Sequence, residues 1–404
     1  MFTSYSIPSS FMVLILTYNF YEQGTDPVTE WLAYFKHPYV KVCLKDFINE
    51  TNTLSIDSTT KEVLYNSLNL TKEIGSIFYR RFKVNFDFRL SYNLGEINRR
   101  LNTETNSELA HLSELFFFLL KDKNWLPKPS VLEVNKEIVL SIAKSCGLYT
   151  PRTLISTSKD DLLKFYAKFP IVYKPLNGFS YYTIGEQTYS SYVTEINQKV
   201  LTSLPNRFFP SLFQERIKSE YEIRTFYLDG EFYSSAIVPQ KKGRKRTVDV
   251  KQNYQSSRWV PYNFPDEFKE KIRKLMNTLN LNTGSIDVLK GIDGKYYFLE
   301  VNPVGQYLSP SISCGYCVEK NIAEWLIKKR HNFEQLIYNK DLKKVPLVFR
   351  FLEVKKTDEI GELYMHVKFS SSIQLQTKSL NNYLDSVPMS NILIEDSDCN
   401  ERVK

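Results

Sequence analysis

Asp287, Glu300 and Asn302 lie in the stretch Gly284-Ser-Ile-Asp-Val-Leu-Lys-Gly-Ile-Asp-Gly-Lys-Tyr-Tyr-Phe-Leu-Glu-Val-Asn-Pro303, whose patterning predicts two strands joined as a hairpin. With Asp293-Gly294 as a two-residue turn, Ile292 faces Lys295, and counting back sets Asp287 opposite Glu300. Asn302, two residues beyond Glu300, shares their face because strand side chains alternate. Ile286, Val288, Leu299 and Val301 then point the other way. Two carboxylates about 5 Å apart at Cβ repel each other on a half-buried sheet unless something cationic lies between them. Mg²⁺ suits such a face, since it takes oxygen ligands and is commonly held by one or two carboxylates plus substrate phosphates. A surface hairpin whose acids meet water or lysines is the alternative.

Further residues along the chain bear on that choice. Lys136 opens an apolar helix in Val-Asn-Lys-Glu-Ile-Val-Leu, and Lys174 ends an apolar strand in Phe-Pro-Ile-Val-Tyr-Lys-Pro. Either alone reads as a surface lysine. Phe213-Gln-Glu-Arg-Ile-Lys218 reads as a short edge-like segment, and Glu222 and Arg224 beyond it share one strand face.

The elements that must position these residues follow from periodicity. Phe11 to Leu16 predicts a strand, Val28 to Phe35 a short apolar-patterned segment, and a β-rich stretch follows Val40. Ile77 to Tyr79 is a further strand ending on Arg80 and Arg81. Leu109, Leu112, Leu115, Phe116 and Leu119 recur at helical spacing between Leu101 and Lys121, with Pro127 and Pro129 closing the segment. Helices over 135–146 and 160–168 alternate with strands at Thr153 to Ile155 and Ile171 to Lys174. Strands follow at Leu212 to Ile217, Glu222 to Leu228 and Glu231 to Val238, the last two joined by Asp229-Gly230. A helix spans 267–279 and another 317–330. Past Asn332 two strands are expected, Val345 to Val354 and Glu362 to Phe369, then a polar, partly disordered end. The expected domains are 1–125, 126–211, 212–331 and 332–404.

A chain of 404 residues exceeds what one core usually serves, so two or three subdomains with clefts between them are expected. Its 42% hydrophobic and 24% charged content, with 27 Tyr and 27 Phe, is that of an ordinary soluble protein. The first apolar run is too short to span a bilayer and lacks a basic flank, which points to the cytoplasm and to no membrane partner. Five cysteines argue for reduced thiols. Cys314 and Cys317 form a CxxC with no second pair and no suitably spaced histidines, so a buried structural pair is favoured over zinc. The net charge of +8 comes with no basic run long enough for nucleic acid. The densest run, Lys241 to Arg246, is a solvated hairpin tip or a grip on an acidic substrate.

Taken in order, Lys136, Lys174, Gln214 to Ile217, Glu222, Arg224, Asp287, Glu300 and Asn302-Pro303 resemble the ATP-grasp superfamily, especially the branch containing ribosomal-protein S6 glutamate ligases. Glu-Val-Asn-Pro is the most specific part of the likeness. The resemblance implies an α/β (α+β) protein: an N-terminal α/β pre-ATP-grasp domain, a small central α/β subdomain and a C-terminal β-rich catalytic subdomain. It implies ATP and Mg²⁺. Lys136 and Lys174 would contact phosphates, and Gln214, Glu215, Arg216 and Ile217 would hold adenine. Glu222 would bind ribose, and Asp287, Glu300 and Asn302 would ligate Mg²⁺. Arg224, with Lys174, would act at the forming acyl phosphate. Many members carry a glycine-rich loop after the second lysine, whereas here only Gly178 and Gly185 punctuate that stretch.

Ile77-Phe-Tyr-Arg-Arg81, the run from Asn124 to Ser156, and Cys314-Gly-Tyr-Cys are similar to graspetide maturases, nearest the grasp-with-spasm group, over roughly residues 11 to 330. That likeness implies a ribosomal precursor peptide with a leader and an acidic core, cross-linked through side-chain esters or amides, and a homodimeric enzyme. Arg80, Arg81, Arg246 and Arg258 would then grip substrate carboxylates. A glutamate or amino-acid ligase is the alternative enzyme. A non-catalytic nucleotide-binding protein is the alternative of another class.

Overall fold

Val13 to Leu16 offers no polar face to water, and it forms the buried centre of β1 (Met12–Thr17). The computed structural model describes residues 11–18, 21–47, 52–82, 95–176, 181–184, 187–190, 193–239 and 257–328, with three further strands between 349 and 396. After β1 come α1 (Asp26–Tyr34), β2 (Tyr39–Cys43), a small antiparallel sheet of β3 (Leu54–Asp57), β4 (Glu62–Tyr65) and β5 (Leu68–Asn69), then α2 (Leu70–Glu73). β6 (Ile74–Arg80), α3 (Glu96–Leu119) and β7 (Asn124–Leu126) complete the N-terminal part. The main sheet is parallel with order β2-β1-β6-β7. Its two faces are covered by different helices: Val13 and Ile15 pack with Val28 and Leu32 of α1, and Leu14 and Leu16 with Leu109 and Phe116 of α3. Helix α3 starts earlier than its periodicity predicts. It buries Leu109, Ser113, Phe116 and Phe117, leaving Leu115 exposed about a third of a turn off that face.

Asn135 caps α4 (Lys136–Ser145), its side chain accepting from the amides of Glu137 and Ile138 at 3.0 and 3.2 Å. The chain then runs through β8 (Thr153–Ser158), α5 (Lys159–Tyr166), β9 (Ile171–Lys174), the hairpin β10 (Tyr181–Ile184) and β11 (Gln187–Ser190), β12 (Thr194–Glu195), α6 (Gln198–Ser203) and β13 (Arg207–Glu215). Four of these strands form an antiparallel sheet ordered β12-β9-β13-β8. Leu162, Ile171, Ile196, Leu201 and Phe213 give it a core of its own. The segment expected to be edge-like lies partly in the middle of this sheet, for β13 is flanked on both sides. Leu212, Phe213 and Gln214 are accordingly all buried.

β14 (Ser219–Leu228) and β15 (Glu231–Pro239) meet through Asp229 and Gly230, both at positive φ, with Leu228 opposite Glu231 as the sequence predicts. β16 (Ser257–Tyr262), an edge strand not anticipated, pairs with β15. There follow α7 (Asp266–Thr278), β17 (Thr283–Gly291), β18 (Tyr296–Asn302), α8 (Leu308–Cys314) and α9 (Val318–Lys328). The antiparallel sheet is ordered β16-β15-β14-β17-β18. One of its faces packs Ile223, Ile286, Val288, Phe298 and Val301 against α7, and also against Val139, Leu140 and Ala143 of α4. Helix α4 therefore buries its apolar side with the C-terminal sheet.

Residues Phe333–Lys404 form a unit separate from Met1–Asn332. It holds β19 (Phe349–Lys356), β20 (Leu363–Phe369) and β21 (Ile392–Asp396), antiparallel and then parallel; the third strand was not expected. Among the described residues no helix is long and apolar enough to cross a membrane. Phe298 is fully buried where β18 meets α4 and α7. Phe298→Ala is expected to cost about 3–5 kcal/mol, read as a lower urea midpoint by circular dichroism.

Candidate active site

Asp287 and Glu300 face one another across β17 and β18, by a different route from the one the sequence suggests. The turn has three residues: the Gly291 amide donates to the Lys295 carbonyl at 2.8 Å, the Gly294 amide to the Gly291 carbonyl at 3.0 Å, and Gly294 takes φ +82°. That shifts the register by one, so Val288 pairs with Phe298. A bulge at Leu299 shifts it back, and Asp287 meets Glu300. The bulge lets both Phe298 and Val301 enter the core, whereas Leu299, expected to point inward, does not join that cluster.

Arg224 on β14 pairs with Asp287 from the other side. Its Nη2 lies 3.5 Å from Asp287 Oδ2, and its Nε donates to Glu222 Oε1 at 3.1 Å. Lys136, the first residue of α4, donates from Nζ to Glu300 Oε2 at 2.6 Å. Asn302 Nδ2 lies 3.4 Å from Glu300 Oε1. Each acid thus has a cationic neighbour, so charge balance is met in part by protein groups. A cavity of about 280 Å³ opens on this face, lined by Arg81, Lys136, Arg224, Asp287, Glu300 and Asn302 among others. Three cationic and two anionic side chains in its wall favour an anionic occupant.

Among the described residues no three His, Cys, Asp or Glu side chains converge on one point. Two carboxylates and an amide oxygen nevertheless form the hard-oxygen set that Mg²⁺ accepts when phosphates supply the remaining ligands. The residues present fit that ion.

The other candidates divide. Lys174 donates to Gln214 Oε1 at 2.6 Å across the central sheet, and Gln214 Nε2 donates to Thr153 Oγ1 at 3.1 Å. Burial pushes the Glu137 carboxyl up, while Lys174 and then Lys136 pull it down, so one half-buried carboxylate feels both lysines. At the crossing from β13 to β14, the Glu215 amide donates to Arg152 O at 2.8 Å and the Arg216 amide to Pro170 O at 2.7 Å. Arg216 also donates from Nη1 to Glu195 at 2.7 Å. Ile217 follows, half-buried.

Arg81 is exposed at the cavity wall, at φ +56°. Arg80, expected to meet substrate, points inward and is 4% exposed. Its Nη1 donates to the carbonyls of Val304, at 2.8 Å, and Gly305, and its Nε lies 3.5 Å from the buried carboxylate of Glu22. A guanidinium spent in this way is a clamp on the loop after Asn302. Tyr307 O–H donates to Gly24 O at 2.9 Å and ties the same loop again. Gly305 sits at φ +64°, where a Cβ would come 2.9 Å from the Phe226 ring. Arg258 is exposed on β16, away from the cavity wall. Arg246 lies outside the described residues, as does the 241–246 run. Glu22, Tyr307, Gly305 and Gln306 were missed. Pro303-Val-Gly-Gln, directly after the metal-type residues, was the available signal for the last two.

Cys314 and Cys317 are half-buried free thiols rather than a buried pair, and Cys314 Sγ lies 3.1 Å from Ser235 Oγ. Burial pushes both thiols up.

No protein-family model and no curated protein matches the sequence. Solved structures do match. The macrocyclase MdnC from Microcystis aeruginosa, bound with precursor peptide MdnA, superposes at TM-score 0.65 with 22% identity, covering 78% of this chain and 99% of MdnC. A Chryseobacterium gregarium RiPP-associated ATP-grasp ligase, in complex with ADP and a leader and core peptide, gives 0.65 and 21% over 80% of this chain and 98% of its own. The ATP-grasp ligase PsnB, with minimal precursor, Mg and ADP, gives 0.63 and 17% over 80% and 97%. The chain has the ATP-grasp fold. Lys174 and the Asp287 face lie on separate sheets.

Two outcomes test this site. Arg80→Leu leaves the Glu22 carboxylate buried without its cation and is expected to cost about 3–5 kcal/mol, seen as a fall in thermal midpoint. The raised thiols of Cys314 and Cys317 should alkylate with iodoacetamide at pH 8 more slowly than free cysteine, as followed by peptide mass.

Proposed function

We propose that this protein is an ATP-dependent carboxylate ligase that matures a ribosomal peptide by joining an Asp or Glu side chain to a hydroxyl or amine of the same peptide. The observation that supports it most is the meeting of Asp287, Glu300, Asn302, Arg224 and Lys136 on one sheet face, on a scaffold like that of peptide-bound macrocyclases.

Glu215 to Ile217 form the strand-to-strand crossing against which adenine would lie. With the amides of Glu215 and Arg216 already engaged, Ile217 is the residue to meet its ring nitrogens. In this reading Glu222 would bind the ribose, and Lys136 and Lys174 the phosphates. When bound by Asp287, Glu300 and Asn302, Mg²⁺ would supply charge neutralisation at the phosphates. A substrate carboxylate oxygen attacks the γ-phosphorus, the bond to the β–γ bridging oxygen breaks, and ADP leaves. Arg224, 3.5 Å from Asp287, would with Lys174 act at the acyl phosphate so formed. A hydroxyl or amine of the peptide then attacks the acyl carbon, and phosphate departs with the proton. Within this reaction Arg81 is the exposed cation for an acidic core.

The peptide's leader, the acidic character of its core, a homodimer and a cytoplasmic location belong to the same proposal. Consistent with the last are four free cysteines among the described residues.

Purified protein with ATP, Mg²⁺ and a candidate acidic precursor peptide should release ADP while each ring formed removes the mass of one water. Arg224→Met should lower both rates by about 10²–10³-fold. Glu300→Gln should lower the rate of ADP release and raise the Mg²⁺ concentration that release requires. A gain of one residue's mass would replace cyclisation by amino-acid ligation, and nucleotide binding without ADP release would exclude catalysis.

A further inference from the structure

A second cavity, of about 660 Å³, adjoins the first, and Arg81 and Val304 stand in the walls of both. Tyr18, Tyr79, Leu132 and Glu133 are among its other walls. Its place in the N-terminal sheet is what makes it informative. From β1 the chain passes through α1 to β2 on one side, and from β6 through α3 to β7 on the other, with α1 and α3 on opposite faces. Strand order therefore reverses between β1 and β6. In open α/β sheets ligands bind outside the carboxyl ends of the strands at such a point. Tyr18 directly follows β1 and Arg81 directly follows β6. The cavity thus occupies the position at which this sheet topology takes a ligand, and the carboxylate face is not needed to single it out. Its volume falls in the range of roughly 300–1,000 Å³ usual for ligand sites.

We propose that this cavity is the acceptor subsite, which seats the peptide segment carrying the nucleophilic amine or hydroxyl. The assignment rests on the ligase function proposed above and adds where the second reactant enters. A carboxylate activated over Asp287 and Glu300 must be met from a side the nucleotide does not fill. The adjoining cavity supplies that side, and its wall differs in kind from the first. Tyr18, Tyr79 and Leu132 offer apolar surface to the residues flanking the nucleophile, as peptide-binding pockets do. Glu133, exposed, offers a carboxylate to a lysine ammonium. Arg81 on the shared wall keeps an acidic neighbour of the acceptor on the side of the phosphates.

The test uses the full chain with a fluorescein-labelled precursor peptide, and Leu132→Trp to fill the cavity. Expected is peptide affinity lowered about tenfold by anisotropy, with affinity for a fluorescent ADP analogue unchanged, and ADP released per ring raised about tenfold as water captures the activated carboxyl. Glu133→Gln, a substitution at an exposed residue, serves as a variant that keeps its fold. It should raise KM for a precursor with a lysine acceptor about threefold and leave one with a serine acceptor unchanged, if the ammonium is what Glu133 meets. Equal peptide affinity in wild type and Leu132→Trp overturns the subsite. So does a parallel loss of peptide and nucleotide affinity, which would make the cavity part of the nucleotide site or of the fold. Failure of the wild type to form rings or release ADP would instead count against the ligase function, and the anisotropy comparison would still decide the cavity.

Discussion

Two carboxylates set opposite each other on adjacent strands cannot both stay ionised in a half-buried sheet without cations close by, and this electrostatic constraint organises the molecule. Asp287 and Glu300 lie on neighbouring strands of one sheet, yet the charges that balance them come from different places. Arg224 belongs to the same sheet, while Lys136 heads a helix packed beside it. Because both acids retain a cationic neighbour, the sheet can fold before any metal or phosphate arrives. A metal or phosphate bound here, as the proposed function requires, would have to compete with those contacts, and its affinity would then depend on Arg224 and Lys136.

The bulge at Leu299 resolves a conflict between packing and chemistry. A regular ladder leading out of a three-residue turn would set Glu300 against Ile286 and break the pairing with Asp287. One extra residue in β18 restores the acids to one face and still sends Phe298 and Val301 into the core. The loop that follows is fixed from the far side. Arg80 and Tyr307 hold it to the N-terminal sheet by bonds to carbonyls, and Gly305 lets it lie flat against Phe226.

Much of this was legible in the residues. The period-two alternation of the 284–303 stretch revealed which side chains share a face, and the order of lysines, arginine and acids along the chain carried the likeness to ATP-grasp enzymes. Turn length escaped because Asp-Gly satisfies both a two-residue turn and the last positions of a three-residue one. The three-residue turn and the bulge offset one another, so a two-residue count still sets Asp287 against Glu300. Arg80 was misread because sequence cannot tell an arginine aimed at solvent from one aimed at carbonyls 224 residues away. Its partner Glu22 had no signal at all, since a single acid in a loop resembles any other. The third strand of the last unit was lost in a stretch whose composition reads as polar tail.

The buried Arg80 has a mechanical consequence. Separating the N-terminal sheet from the loop after Asn302 would strip the buried Arg80 guanidinium of the Val304 and Gly305 carbonyls inside the protein, a cost that ties these two parts together. The central sheet has its own core and joins the rest near residues 145–152 and 215–219. Under the proposed ligase function, opening for nucleotide exchange would fall to that sheet, like a single jaw working against a fixed anvil. Lys174 belongs to the jaw and Lys136 to the anvil, so in such a motion the distance between the two ammonium groups would be a gauge of closure.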